Sequence, residues 1–191
     1  MSKILSVAVY CASSLGNTTE FSEAAFNLAH AMADQGIDLV FGGMNSGLMK
    51  IVADELSSCG RKITGVIPRS FIDRGVVYPK LTSTIIADTI AERKSKMIEL
   101  ADGFIALPGG LGTFSEIFEV WSFAQLGIVP KPCAFFNISS FYDLMMQFLD
   151  HCVESGFIKQ AHRDILFSSD SPNLILEYFS NYMPTKVSKN V

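Results

Sequence analysis

The sequence predicts an α/β protein: a doubly wound parallel sheet with helices on both faces. Three observations carry this. Short apolar runs of strand length alternate with longer segments whose apolar residues recur at helical spacing. Runs that are apolar throughout belong to strands covered on both sides, as parallel strands are. Two glycine-rich segments each follow a strand and precede a helix, the order expected at the ligand edge of such a sheet.

The first strand is read at residues 4–10. Lys3, the apolar run 4–12 and Ser13-Ser14 have the outline of a short signal peptide. The run contains Ser6, stops at strand length and leads into a Gly16 loop and an amphipathic helix, so a buried strand is the better reading. That helix spans about 19–35, with Phe21, Ala24, Ala25, Leu28, Ala31 and Met32 on one side and Gly36 closing it. A second strand at 38–41 runs into Gly42-Gly43-Met44-Asn45-Ser46-Gly47, and a helix follows to about Cys59. The third strand is 62–67, ended by Pro68. Residues 69–80, with Gly75 and Pro79, read as an irregular loop. A fourth strand at 81–86 precedes a helix at 90–101, and a fifth at 103–107 runs into Pro108-Gly109-Gly110-Leu111-Gly112-Thr113. The next helix carries Phe114, Ile117, Phe118, Trp121 and Ala124; a sixth strand is 133–136, and the remainder is largely helical. One nucleotide-binding domain is expected over 1–183, with a polar tail at 184–191.

Composition narrows the function. The chain has 191 residues, 49% hydrophobic and 18% charged, with net charge −4. That excludes an intrinsically disordered chain. It also makes a nucleic acid or an anionic membrane a poor partner for its overall field. No apolar segment approaches the roughly 18 residues of a membrane span. Cys11, Cys59, Cys133 and Cys152 form no C-x-x-C and read as buried reduced thiols of a cytoplasmic protein. His30, His151 and His162 make no ligand pattern with them, so no metal is expected.

Both glycine-rich turns suit an anion, because a helix N-terminus offers free N–H groups and partial positive charge. Neither is G-x-G-x-x-G or a G-x-x-x-x-G-K-[ST] loop, so neither the dinucleotide fingerprint nor a triphosphatase loop is present. Ser13 and Gly43, on the loops after the first two strands, join the expected binding set. Glu116 has two readings. It stands three residues after Thr113, the spacing of a capping box, or it points from the helix start into the crevice. Thr89 and Glu92 form another capping box, which places Arg93 and Lys94 at or beside a first turn, against the helix dipole. Cations there are either solvated or answer an anion or carboxylate partner.

The run from Pro108 to Glu116 reads P-G-G-x-G-T-x-x-E. With Gly42-Gly43, Gly47-Leu48-Met49, Gly65-Val66-Ile67-Pro68, Glu92-Arg93-Lys94 and Ala124-Gln125-Leu126-Gly127, it resembles the LOG family. These are cytokinin riboside 5′-monophosphate phosphoribohydrolases, also labelled "possible lysine decarboxylase". The resemblance implies a Rossmann-like fold and a homodimer without a cofactor. It implies hydrolysis of the N-glycosidic bond of adenosine-type 5′-monophosphates to free base and ribose 5-phosphate. On the same ground Arg93 and Glu116 are the expected catalytic pair, and Gly109, Gly110, Leu111, Gly112 and Thr113 hold the phosphate. Lys94 borders the nucleotide, and Ser122 stands where relatives commonly have Thr. Ile90 and Ala91 replace the family's Met-His, Met44 replaces a glycine, Lys50 another, and Gly75 aligns with a Glu. The base preference is therefore not carried over.

The chemistry is consistent with these residue types. Departure of the base builds positive charge on the ribose, which a carboxylate near C1′ stabilises. Arg93 keeps its proton at working pH, so its expected part is orientation and anion binding. Pyridoxal-dependent decarboxylation needs a singled-out Schiff-base lysine, which the sequence does not offer. The competing expectation is a nucleotide-binding or carrier protein of the same fold that does no chemistry.

Overall fold

A computed structural model describes residues 4–184; Lys3 and the polar tail expected at 184–191, Pro184 apart, lie outside them. Among the described residues, β1 (Ser6–Tyr10), β2 (Asp38–Phe41), β3 (Ile63–Pro68), β4 (Ser83–Ala87), β5 (Gly103–Ala106), β6 (Cys133–Phe136) and β7 (Leu166–Ser169) form one sheet. Its order is β4-β3-β2-β1-β5-β6-β7 and every pairing is parallel. The expected α/β, Rossmann-like doubly wound parallel sheet with helices on both faces is the observed one.

Alternation along the strands divides the core. Val7 and Val9 of β1 face α1 (Thr19–Asp34), α2 (Gly47–Ser58) and α8 (Pro172–Asn181). Ala8 and Tyr10 face α4 (Ile90–Leu100), α5 (Leu111–Gln125) and α6 (Asp143–Glu154). Fully buried Leu28, Met32 and Leu56 fill the first layer and Met97, Val120 and Phe135 the second. Each such side chain contributes about 1.5–3 kcal/mol relative to exposure. Trp121 Nε1 is buried and donates to the His162 carbonyl at 2.7 Å, so the ring is sealed into that layer without an unmet donor.

Several boundaries differ from the sequence reading. β1 starts at Ser6, because the Leu5 and Ser6 N–H groups donate to Asp102 Oδ2 at 2.9 and 3.0 Å. The segment expected to be an irregular loop opens with one helical turn, α3 (Arg69–Ile72). β7 lies in the region read as helical. Only its first two residues are large and apolar, and it ends Ser168-Ser169, so it shows neither an apolar run nor alternation. Parallel pairing with β6 makes it a strand. Cys11 and Cys133 are buried as expected, whereas Cys152 is half-buried and Cys59 exposed; all four are free thiols.

Candidate active site

In a sheet of this order, β1 and β5 are where the winding reverses, and the crevice opens beyond their carboxyl ends. A cavity of about 470 Å³ lies there. The stretch from Val9 to Ser14 at the end of β1 walls it on one side, and Gly110 to Thr113 at the start of α5 on another. Met44 after β2, Phe71 on α3 and Ile90 on α4 close the rest.

Helix α5 begins three residues earlier than the capping-box reading of Glu116 requires. Its N-cap is Gly110, without a side-chain cap bond, and the Phe114 N–H already donates to the Gly110 carbonyl at 3.0 Å. Thr113 is therefore inside the helix, and its side chain packs against the Cα of Gly109, which has room for no Cβ. The first-turn N–H groups of Leu111, Gly112 and Thr113 have no helical acceptor and face the cavity end. Released from a capping role, Glu116 points into the site.

Helix α4 does use its capping box. Thr89 Oγ1 accepts from the Glu92 N–H at 3.1 Å, and Glu92 Oε2 accepts from the Asp88 N–H at 2.8 Å. That fixed start aims the next two side chains across the crevice to α5. Arg93 Nη1 donates to Glu116 Oε1 at 2.6 Å, and Arg93 Nε donates to the Val66 carbonyl of β3 at 3.0 Å. The two side chains are only 14% and 11% exposed. Lys94 pairs with Glu119 and donates to Ser115 Oγ at 3.3 Å. Both cations that oppose the α4 dipole thus have carboxylate partners on one face of α5, three residues apart.

Burial dominates the electrostatics of Glu116 and raises its pKa above the ordinary carboxylate range; Arg93 and then Lys94 pull it back only in part. Tyr10, buried beside it, is held protonated by burial and by the Glu116 charge. The result is a carboxylate in a poorly hydrated cleft with one fixed cation against it and open N–H groups one turn away.

Ser13, Arg93, Lys94 and Glu116 line the cavity with Gly110, Leu111, Gly112 and Thr113. Gly43, Gly109 and Ser122 do not. Gly43 lies behind the wall against the Ile67 side chain, and Gly109 backs onto Thr113. Ser122 is exposed, two turns of α5 beyond Glu116. Met44, Met49, Phe71 and Ile90, which sequence reasoning did not place here, form an apolar wall. Met44 and Ile90 stood out in the sequence only as departures from the family pattern. Phe71 gave no signal, because α3 was read as loop.

The family model described as "Possible lysine decarboxylase" matches residues 49–179, which include the whole glycine turn and both ion pairs. A cytokinin riboside 5′-monophosphate phosphoribohydrolase of Arabidopsis thaliana is 38% identical over 183 residues, covering 96% of this chain and 86% of that protein. One of Oryza sativa subsp. japonica is 38% identical, covering 96% of this chain and 76% of its own. Among solved structures, a molybdenum cofactor binding protein from Rippkaea orientalis superposes with a TM-score of 0.64 at 20% identity, covering 93% and 94% of the two chains. A Moco carrier protein from Chlamydomonas reinhardtii superposes with a TM-score of 0.66 at 15% identity, covering 89% and 91%. At such identities the likeness to these structures is one of fold alone. With a family model spanning most of its length and relatives of this identity over nearly all of it, the chain belongs to the LOG, or "Possible lysine decarboxylase", family.

Proposed function

We propose that this chain is an N-glycosyl hydrolase acting on adenosine-type nucleoside 5′-monophosphates, cytokinin riboside 5′-monophosphate and AMP among them. The products are the free base and ribose 5-phosphate. The observation that carries the proposal is the nearly buried Arg93–Glu116 pair beside the uncapped start of α5. The 5′-phosphate docks on the N–H groups of Leu111, Gly112 and Thr113, where the helix dipole favours an anion. Its binding energy fixes C1′ against Glu116. As the base departs with the bonding electron pair, positive charge grows on the ribose and the Glu116 carboxylate stabilises it. Glu116 also accepts a proton from the attacking water, whose hydroxyl joins C1′; that proton then passes on, directly or through solvent, to the departing base and Glu116 returns to its ionised form. Arg93 holds Glu116 ionised and fixes its direction through the Val66 carbonyl. Lys94, engaged by Glu119 and Ser115, braces α4 on α5 at the edge of the nucleotide site. No step calls for a metal or a cofactor.

The active form is a homodimer on this reading. Leu144 and Phe148 on α6, Phe157 after it, and Leu126 and Ile128 at the end of α5 are exposed. Both helices cover the same face of the sheet, and apolar side chains gathered on one face mark an interface. Free thiols on all four cysteines fit a cytoplasmic location. Among the described residues no helix is long and apolar enough to cross a membrane.

The test is a product assay with AMP and, separately, N6-isopentenyl-AMP, quantifying free base by chromatography with Glu116→Gln as the control. Base release that depends on Glu116 is the expected result. Tight AMP binding with no release from either nucleotide overturns the hydrolase and leaves a carrier of the same fold.

A further inference from the structure

We infer that the packed ends of α1 and α2, on the face of the sheet opposite Arg93 and Glu116, form a binding site for a thiophilic divalent cation of the Zn²⁺ class. His30 comes from α1, and Glu55 and Cys59 come from the end of α2 and its cap. Their donor atoms all lie within 4.8 Å of one another. His30 Nδ1 is 3.0 Å from Glu55 Oε1, and Cys59 Sγ is 3.6 Å from the same oxygen. For bonds of roughly 2.1 Å to nitrogen or oxygen and 2.3 Å to sulfur, tetrahedral ligands stand roughly 3.4–3.6 Å apart. The Cys59–Glu55 edge already has that length, the His30–Glu55 edge needs to open by about 0.4 Å, and the His30–Cys59 edge, within 4.8 Å, needs at most a side-chain adjustment, with water as the fourth ligand. The sequence showed no ligand pattern because the donors come from two helices and meet only when α1 packs on α2.

Two further observations favour a cation there. Glu55 is 15% exposed, yet among the described residues its side chain meets His30, Ser58 and Cys59 and no lysine or arginine. A carboxylate so far removed from water without a permanent cation is an open demand for one. The His30 ring is also already oriented. Phe26, one turn earlier, stacks on it at 6.1 Å between centroids and 11° between planes. Asp34, one turn later, faces its other nitrogen, with Oδ2 3.9 Å from Nε2. Closing that gap to hydrogen-bond distance would give the usual outer support of a zinc ligand, a carboxylate on one ring nitrogen while the other, which now meets Glu55, turns to the metal. On binding, Cys59 gives up its thiol proton to solvent and His30 binds as the neutral ring. No electron moves.

Isothermal titration of the purified full chain with Zn²⁺ tests the site, with Co²⁺ as a spectroscopic probe. One equivalent is expected to bind saturably, protecting Cys59 from alkylation while the half-buried Cys152 keeps its rate. Co²⁺ should give thiolate-to-metal charge-transfer absorption. Cys59→Ser abolishes that absorption, His30→Gln abolishes saturable binding, and Asp34→Asn weakens it by about tenfold. Cys152→Ser leaves all of it unchanged. The positions substituted are exposed or half-buried at helix ends, and circular dichroism of each variant verifies folding. Absence of saturable Zn²⁺ binding overturns the proposal: the cluster is then only a His30–Glu55 ion pair. Binding that survives both Cys59→Ser and His30→Gln overturns it equally.

Discussion

One guanidinium serves two elements: Arg93 donates from Nη1 to Glu116 Oε1 at 2.6 Å and from Nε to the Val66 carbonyl at 3.0 Å. The carboxylate is therefore aimed by the sheet itself, through β3, as well as by its own helix. Glu116→Gln keeps the shape and removes the charge. Nucleotide binding should persist while turnover falls by about 10³-fold, equivalent to roughly 4 kcal/mol of barrier. Arg93→Lys keeps the charge but loses the fork that reaches both acceptors. It should fall in kcat by about 10²-fold or more. Steady-state base release with equilibrium AMP binding measures both, and equal turnover in Glu116→Gln would remove the assignment.

Gly42 is the floor on which that guanidinium rests. A Cβ added there would strike Arg93 Nη2, while the next neighbour, Met49 Sδ, is 3.5 Å away. The strain would fall on the Arg93 side chain rather than on the backbone. Gly42→Ala should lower kcat by about 10–10²-fold, since an ångström of misplacement near the chemistry has effects of that order. Its urea midpoint should stay close to that of the parent. A large loss of stability with unchanged kcat in the folded fraction would show that Gly42 serves the fold instead.

The pH profile follows from burial. Glu116 works ionised, and burial lifts its pKa above the ordinary carboxylate value of about 4.3. Activity is therefore lost as pH falls through that raised value, and the acid limb of kcat/KM lies above where an exposed glutamate would place it. Glu119 is one of the groups raising Glu116, and Lys94 one of those lowering it. Glu119→Gln removes a negative neighbour and frees Lys94, so the acid limb should move to lower pH. A profile measured across the acid range with both proteins checks the direction, and a shift upward contradicts the pairing.

The fold was legible wherever burial writes itself into composition. β1, β2, β3, β5 and β6 are mainly apolar because both faces of the sheet are covered there, whereas the edge strand β4 is largely exposed; Gly36 and the Thr89–Glu92 box mark helix ends by local chemistry. β7 was not legible, because Leu166-Phe167-Ser168-Ser169 becomes a strand only by pairing with β6. The site divides the same way. Arg93 and Glu116 stand in short contiguous motifs, and the cations at the start of α4 broke a local rule that their partners on α5 explain. The wall of Met44, Met49, Phe71 and Ile90 is assembled from three separate stretches of chain, and no short window of sequence contains it. His30, Glu55 and Cys59 were hidden for the same reason.

That wall makes the last prediction. With the phosphate at the start of α5 and C1′ at Glu116, the base must lie toward the remaining side of the cavity, where Met44, Phe71 and Ile90 offer apolar surface. A substituent on N6 of adenine then buries against them, and each buried methylene is worth about 0.8 kcal/mol at most. N6-isopentenyl-AMP should exceed AMP in kcat/KM by about tenfold or more. Phe71→Ala and Ile90→Ala should each bring that ratio toward unity while leaving the rate on AMP nearly unchanged. The ratio isolates the wall from the catalytic pair, because both substrates share the phosphate and C1′. A ratio near one in the parent protein, with strong AMP turnover, would instead place the N6 position in solvent and identify an AMP nucleosidase.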